Sequence, residues 1–387
     1  MRASSYILSA KEILSLYKGE LPFAAWIKQY FKTHKKFGSR DRKIVAQLCY
    51  SFFRLGNAFN DLAVEERIGI GLFLSSQASN NLLEELRPGW NAKAALELKD
   101  KFSILNSQFS ILNVFPWNNE LSEEINSEKF NESFLIQPDL FLRLRHVKEN
   151  IVKEKLAAAN IDFRVEDETC LALPNASKLD GILLIEKEAV IQDHNSQRVL
   201  ELLQLPTANC QLPTNAWDCC AASGGKSILV YDTIPNIDLT VSDIRVSILI
   251  NLKKRFEKAG IKNYKSFIAD LSHSPLITHH STFDLIICDA PCTGSGTWSR
   301  TPEQLHFFKE EKIDYYAPLQ KKIAINASKS LKKGGHFLYI TCSVFKKENE
   351  EVVEYLKQNT QLQLQAIQYY KGYEKRADTL FTALFTL

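Results

Sequence analysis

Ala216-Trp217-Asp218-Cys219-Cys220-Ala221-Ala222-Ser223-Gly224-Gly225-Lys226-Ser227 runs from a short apolar stretch, through a turn of small residues, into a segment of helical character over 226–233. That order, strand then small-residue turn then helix, opens a series. Downstream, strands are expected at 239–243, 264–269, 283–289 and 336–342, with helices over 245–259 and 317–331. Strands alternating with helices imply a mostly parallel sheet covered on both faces. Apolar segments at 365–370 and 380–386 predict an antiparallel edge on that sheet.

Ligands of such sheets bind beyond the carboxyl ends of the strands. There the sequence places Cys220, Ala221, Ala222, Ser223, Gly224, Gly225 and Lys226 after the first strand, Asp243 after the second and Asp270 after the third. Asp289-Ala290-Pro291-Cys292 ends the fourth and Thr341-Cys342-Ser343 the fifth. Glycines and small residues let a backbone approach a ligand closely. A carboxylate at the position of Asp243 is placed to accept from both hydroxyls of a ribose. Gly224-Gly225-Lys226-Ser227 is not a phosphate-binding P-loop, since Cys220 stands where the first glycine of that motif is required.

Of the eight cysteines, at 49, 170, 210, 219, 220, 288, 292 and 342, Cys219 and Cys288 read as small buried apolar residues. The spacing of Cys219-Cys220 and Cys288-x3-Cys292 matches no usual zinc pattern, so no metal is expected. His279-His280 reads as a loop pair. What stands against a purely structural reading is coincidence: three Asp, two Cys and a Gly-Gly-Lys turn share one edge of one sheet.

Upstream, residues 1–130 read as helical. Ile44, Leu48, Phe52 and Leu55 recur at helical spacing, with Ser39 or Asp41 as the cap, and further helices are expected at 68–74 and 102–112. From 133 to 195 a small α+β unit is expected, with strands at 141–145, 161–165 and 181–186 and a helix over 147–159; the sheet domain then fills 196–387. The chain has 387 residues, a net charge of +3 and a pI near 8.3. That permits a nucleic-acid partner without arguing for one. The start, MRASSYILSA, lacks a basic segment followed by an apolar core. With no apolar run of membrane-spanning length, the expectation is a cytoplasmic protein with reduced thiols and no membrane partner.

The segments DCCAASGGKS, SDIR, DAPCTGSGTW and YITCSVFKKENEEVV resemble, in order and spacing, the motifs of the RsmB/Sun family of RNA cytosine-5 methyltransferases. DAPC followed by TCS is specific to that family. Residues 191–197, IQDHNSQ, resemble the lead-in to its catalytic domain, 133–190 its small RNA-binding domain of RRM-like topology, and 37–54 the signature of a NusB-like helical domain. The resemblance implies a Rossmann-like class I methyltransferase domain, preceded by an RRM-like unit and an all-helical NusB-like domain. It implies S-adenosylmethionine held by residues 220–226, Asp243 on the ribose, Asp270 on the adenine side and Asp289 between the methionine part and the target base. Cys342 would be the nucleophile and Cys292 the cysteine that assists product release. The expected partner is RNA, by analogy 16S ribosomal RNA, met by a monomer and gripped in part by Arg143 and Arg145. One departure is plain: the family usually has Pro where this chain has Ser223, which leaves the φ angle of the loop free.

Attack of a thiolate on C6 would make C5 of cytosine nucleophilic enough to take a methyl group. The thiol would be ionised near Lys226, and the base splayed from its stack. Two other readings remain: a DNA cytosine-5 methyltransferase using Cys292 of the Pro-Cys pair, and a non-catalytic RNA-binding ribosome assembly factor that keeps the fold.

Overall fold

The computed structural model describes residues 3–105, 113–204, 214–273 and 282–387. Cys210, His279, His280 and the far end of the helix expected at 102–112 lie outside the described residues. The chain divides into two compact units. One comprises Met1–Leu121, Ile125–Pro138 and Thr297–Glu310; the other Ser122–Glu124, Asp139–Gly296 and Glu311–Leu387.

The first unit is helical among its described residues, with helices Ala3–Leu16, Phe23–Thr33, Ser39–Arg54 and Val64–Ser75 as its largest elements. Helix Ser39–Arg54 buries Val45, Leu48, Cys49 and Phe52, one stripe at three- and four-residue spacing. Its start is fixed by Asp41, whose carboxylate accepts from the Gly38 N–H at 3.0 Å, while Ser39 is already helical. Buried aromatic rings fill the space between the helices, Tyr17 against Phe23 and Phe53 among them.

The second unit holds two sheets. The smaller consists of β1 (Leu140–Leu144), β2 (Arg164–Val165), β3 (Cys170–Leu173) and β4 (Ala189–Ile191), antiparallel in the order β2-β3-β1-β4, with the helix Glu149–Ala158 between β1 and β2. The strand expected at 181–186 is absent. Gly181 and Glu186 both have positive φ, and the Leu183 N–H bonds to Leu179, so the apolar run forms turns that bury Leu179 and Leu183. Arg143 and Arg145 are not an RNA-facing pair. Asp232 accepts from both, at 2.7 and 2.5 Å, and the carbonyls of Glu186 and Ala259 accept from Arg145. Arg143 is buried.

The larger sheet has seven strands: β5 (Asn215–Asp218), β6 (Asp238–Asp243), β7 (Tyr264–Ile268), β8 (Phe283–Asp289), β9 (Leu331–Thr341), β10 (Gln363–Tyr370) and β11 (Leu380–Thr386). Their order is β10-β11-β9-β8-β5-β6-β7. Strands β5 to β9 pair in parallel, and β11 runs antiparallel to both neighbours. The central strands are apolar on both faces because both are covered. Leu285 and Ile287 join one core with Ile228 and Phe256, while Ile286 and Cys288 join the other with Ile323 and Val352. The helix expected from 317 begins at Glu311, carrying Pro318 inside it. This is a Rossmann-like sheet with one antiparallel strand, β11, set between β9 and β10, and its strand ends lie at the expected positions.

Candidate active site

The turn after β5 and the ends of four strands, β6, β7, β8 and β9, build the site. After β5 the chain turns through Ala222 (φ 46°) and Gly224 (φ 84°) before the helix Gly225–Thr233 begins. A Cβ on Gly224 would sit 2.8 Å from the Phe256 ring, so both its φ and its packing require glycine. Beneath the turn, Ser227 donates to Asp218 at 2.6 Å. Burial pushes the Asp218 carboxyl up to about 7 against that bond. Lys226 reaches from the helix start to Asp289 at the end of β8, Nζ to Oδ2 2.7 Å. Burial opposes the charge on Lys226, but Asp289, then Cys342 and Asp218, outweigh it and raise its pKa.

Asp243 ends β6 inside a ring of donors. It accepts from the Ala222 N–H at 3.1 Å, from the Arg245 N–H at 2.9 Å and from the Arg245 guanidinium at 2.9 and 3.0 Å. Burial works to raise its pKa, yet these bonds win and hold it below the usual carboxylate value. Asp270, more exposed, accepts from Ser272 and His273, and those bonds lower its pKa too. Ile244 and Ile268, apolar but more than half exposed, sit at the ends of β6 and β7.

Beyond β9 and β8, the Cys342 and Cys292 sulfurs lie 3.4 Å apart. Two backbone bonds lock the segment carrying Cys292 in place: Gly296 N–H to Cys342 O, just past β9, at 2.8 Å, and Thr379 N–H, just before β11, to Gly296 O at 2.9 Å. The neighbouring Cys342 and burial both push the Cys292 thiol well above its usual pKa. Residues that the sequence reading left without a role hold this pair. Buried Glu348 accepts from the Thr293 N–H at 2.9 Å and from Gln320 at 3.1 Å, and Gln320 also donates to Pro291 O. Asn349 donates to Ser343 O at 3.0 Å. Glu348 and Asn349 lie in the KKENEE run of the segment YITCSVFKKENEEVV, while Gln320 lies far upstream in the helix expected over 317–331.

The structure therefore brings residues 220–226, Asp243, Asp289, Cys292 and Cys342 to one edge, with Asp270 at its far side. A nucleoside bearing a positive charge suits this edge: a backbone turn with small side chains, carboxylates at three strand ends and exposed apolar residues beside them. Cys219 and Cys288 are buried in the core. Among the described residues, donor atoms of Asp167, Cys170 and His194 also lie within 4.8 Å of one another, on the small sheet and the helix after it.

Residues 207–381 match the family described as "16S rRNA methyltransferase RsmB/F". A ribosomal RNA small subunit methyltransferase B from Xanthomonas campestris is 29% identical over 185 residues, 48% of this chain and 41% of that protein. The probable ribosomal RNA small subunit methyltransferase B of Bacillus subtilis is 27% identical over 232 residues, 59% and 51% of the two chains. A tRNA (cytosine(49)-C(5))-methyltransferase of Pyrococcus abyssi is 31% identical over 39% and 48%. The matches thus span about half the length of these curated relatives. Among solved structures, that of PH0851 shares the fold with a TM-score of 0.73 over 100% of this chain and 99% of its own, at 19% identity. NSun6 from Pyrococcus horikoshii, solved with SFG, gives 0.58 over 67% and 94%, at 14% identity.

Proposed function

We propose, from the membership of residues 207–381 in the RsmB/Sun family of S-adenosylmethionine-dependent RNA cytosine-5 methyltransferases, that this protein methylates C5 of a cytosine in small-subunit ribosomal RNA through a covalent bond to Cys342. The observation that carries the reading is the pair of sulfurs 3.4 Å apart, set between two adjacent strand ends beside the Lys226–Asp289 ion pair.

Bound S-adenosylmethionine supplies an electrophilic methyl group on a sulfonium sulfur. Residues 220–226 would hold it by their backbone, Asp243 would take the ribose hydroxyls, and Asp270 with Ile244 and Ile268 would flank the adenine. To meet a ribose, Asp243 must exchange the Arg245 guanidinium, whose side chain is mostly exposed, for the two hydroxyls. Lys226 holds Asp289 in place and puts a positive charge near the Cys342 sulfur.

Cys342 loses its proton and its sulfur bonds to C6 of the cytosine. The proton given up by Cys342 passes through the Lys226–Asp289 pair to N3 as electrons are displaced toward that nitrogen, and C5 gains the character needed to take the methyl group. Water takes the C5 proton, the N3 proton returns to Asp289, and the C6–S bond breaks with its electrons returning to sulfur. Cys292, kept as a thiol, donates a hydrogen bond to the Cys342 sulfur and stabilises the thiolate that departs. Glu348, Gln320 and Asn349 fix the two cysteine-bearing segments so that this distance is preset.

A denaturing gel with labelled RNA tests the assignment. Cys292→Ala is expected to attack, transfer the methyl group and stall, leaving protein linked to methylated RNA. Cys342→Ala should give no adduct. The reverse pattern makes Cys292 the nucleophile, and activity retained in both variants without an adduct removes thiol catalysis.

A further inference from the structure

The turn after β5 has a weak point. Ser223 is exposed and lies between two residues of left-handed backbone, Ala222 and Gly224. A non-glycine residue such as Ala222 adopts that conformation only where its surroundings impose it. Asp243 holds the Ala222 N–H from within, and the side chain that holds Ser223 is Arg255, on the helix Val246–Ala259. Its Nη1 donates to the Ser223 carbonyl at 3.1 Å and to the Ser223 hydroxyl at 3.0 Å. The rest of the guanidinium is held from the opposite side by Glu186, with Nε to Oε1 at 2.7 Å and Nη2 to Oε2 at 3.1 Å.

Glu186 belongs to the turns that lead into β4 of the small sheet, and it is itself fixed. Its φ is 74°, its N–H bonds to Ala189 O at 2.8 Å, and its carbonyl accepts from Arg145 at 3.0 Å. Arg145 is tied in turn to Asp232 and to the last turn of the Arg255 helix at Ala259. A planar guanidinium with two bidentate partners acts as a rigid strut, which a lysine cannot do.

We infer that Arg255 is a positioning residue for cofactor binding: braced by Glu186 of the small sheet, it holds the Ser223 turn in shape and so couples the small-sheet lobe to the affinity for S-adenosylmethionine. The inference rests on the reading of residues 220–226 as the cofactor turn. Bracing through Glu186 is the step that makes the coupling, because a change in the turns around 186 is passed to the cofactor turn through one side chain.

The test measures S-adenosylmethionine affinity by calorimetry, apo melting temperature, and amide hydrogen exchange of residues 221–225 without cofactor, all on the full chain. Arg255→Gln should weaken binding about tenfold, the effect of losing hydrogen bonds to a charged group, and speed exchange in the turn. It also strands the buried Glu186 carboxylate, so its melting temperature should fall. The double variant Arg255→Gln/Glu186→Gln removes the stranded charge. Its melting temperature should recover while the affinity stays low and the exchange fast. Glu186→Gln alone should give a smaller loss of affinity, and the two single losses should not add.

Affinity recovering together with stability in the double variant would mean Arg255 is only structural and would overturn the inference. Unchanged exchange and affinity in Arg255→Gln would overturn it as well. If the unaltered protein fails to bind S-adenosylmethionine, the proposed function falls, while the exchange measurement still decides whether Arg255 braces the turn.

Discussion

At the scale of the residue, Asp243 carries the clearest demand. It is a buried carboxylate whose acceptor positions are filled by one backbone N–H of the turn after β5 and by Arg245. For a ribose to displace the guanidinium, the carboxylate must offer the hydroxyls as good a partner as it gives up. Asp243→Ala is therefore expected to weaken S-adenosylmethionine binding by about 1.5–3 kcal/mol, roughly ten- to a hundred-fold. Arg245→Ala, which removes only a competitor, should change affinity less than about threefold, given the low worth of an exposed guanidinium in such pairs. Calorimetry on both variants decides it, since equal losses would assign the role to the ion pair and not to the carboxylate. Asp243, Asp289 and Cys342 could be picked out in the sequence because each ends or directly follows an apolar strand, with Cys292 three residues past Asp289, and strand ends point to one edge. Glu348 and Asn349 could not. Their burial depends on how the chain returns after β9, and nothing in a run of Lys, Glu and Asn announces it.

At the scale of the element, the junction of β9 with the segment after β8 sets the spacing of the two thiols. Gly296 lies so close to it that a Cβ would meet the Thr379 carbonyl at 2.0 Å and the Cys342 carbonyl at 3.0 Å. Gly296→Ala must push these segments apart by a large fraction of an ångström or more. Misplacement on the order of 1 Å at a reacting pair costs about a hundredfold in rate. Methyl incorporation should fall by about that factor, while cofactor affinity, set at the other strand ends, stays within about threefold. A variant with unaltered rate would show that the separation of the thiols is not set here. The parallel sheet itself was legible because its central strands are buried on both faces and so read as unbroken apolar runs. The turns around Ile182-Leu183-Leu184 were misread as a strand for the same reason: an apolar run says only that a segment is buried, not what shape it takes. Pro318 hid the true start of the helix Glu311–Ser328, because a proline usually marks a boundary and here stands within the helix.

At the scale of the whole molecule, the helical unit is closed by a segment far from it in sequence. Thr297–Glu310 belongs to that unit, where Trp298, Leu305 and Phe308 are buried. The Phe23 N–H bonds to Glu303 at 3.0 Å, Arg54 donates to Ser299 O at 3.1 Å, and Asn57 donates to Leu305 O at 3.1 Å. Periodicity read along the chain cannot reveal this, since nothing local separates residue 297 from the strand end before it. Burying a large apolar side chain contributes about 1.5–3 kcal/mol, so the three together contribute roughly 5–9 kcal/mol as an upper estimate. That is comparable to the entire stability of a typical domain, about 5–15 kcal/mol. A fragment of residues 1–138 should therefore lack a cooperative thermal transition. The polar groups Arg54 and the Phe23 N–H would also lose partners, adding to the penalty. Supplying a peptide of residues 297–310 in trans should restore both helicity by circular dichroism and a sigmoidal melt, at a midpoint that rises with peptide concentration. Cooperative melting of the fragment alone, at the temperature of the full chain, would show instead that the helices close their core without the distant segment.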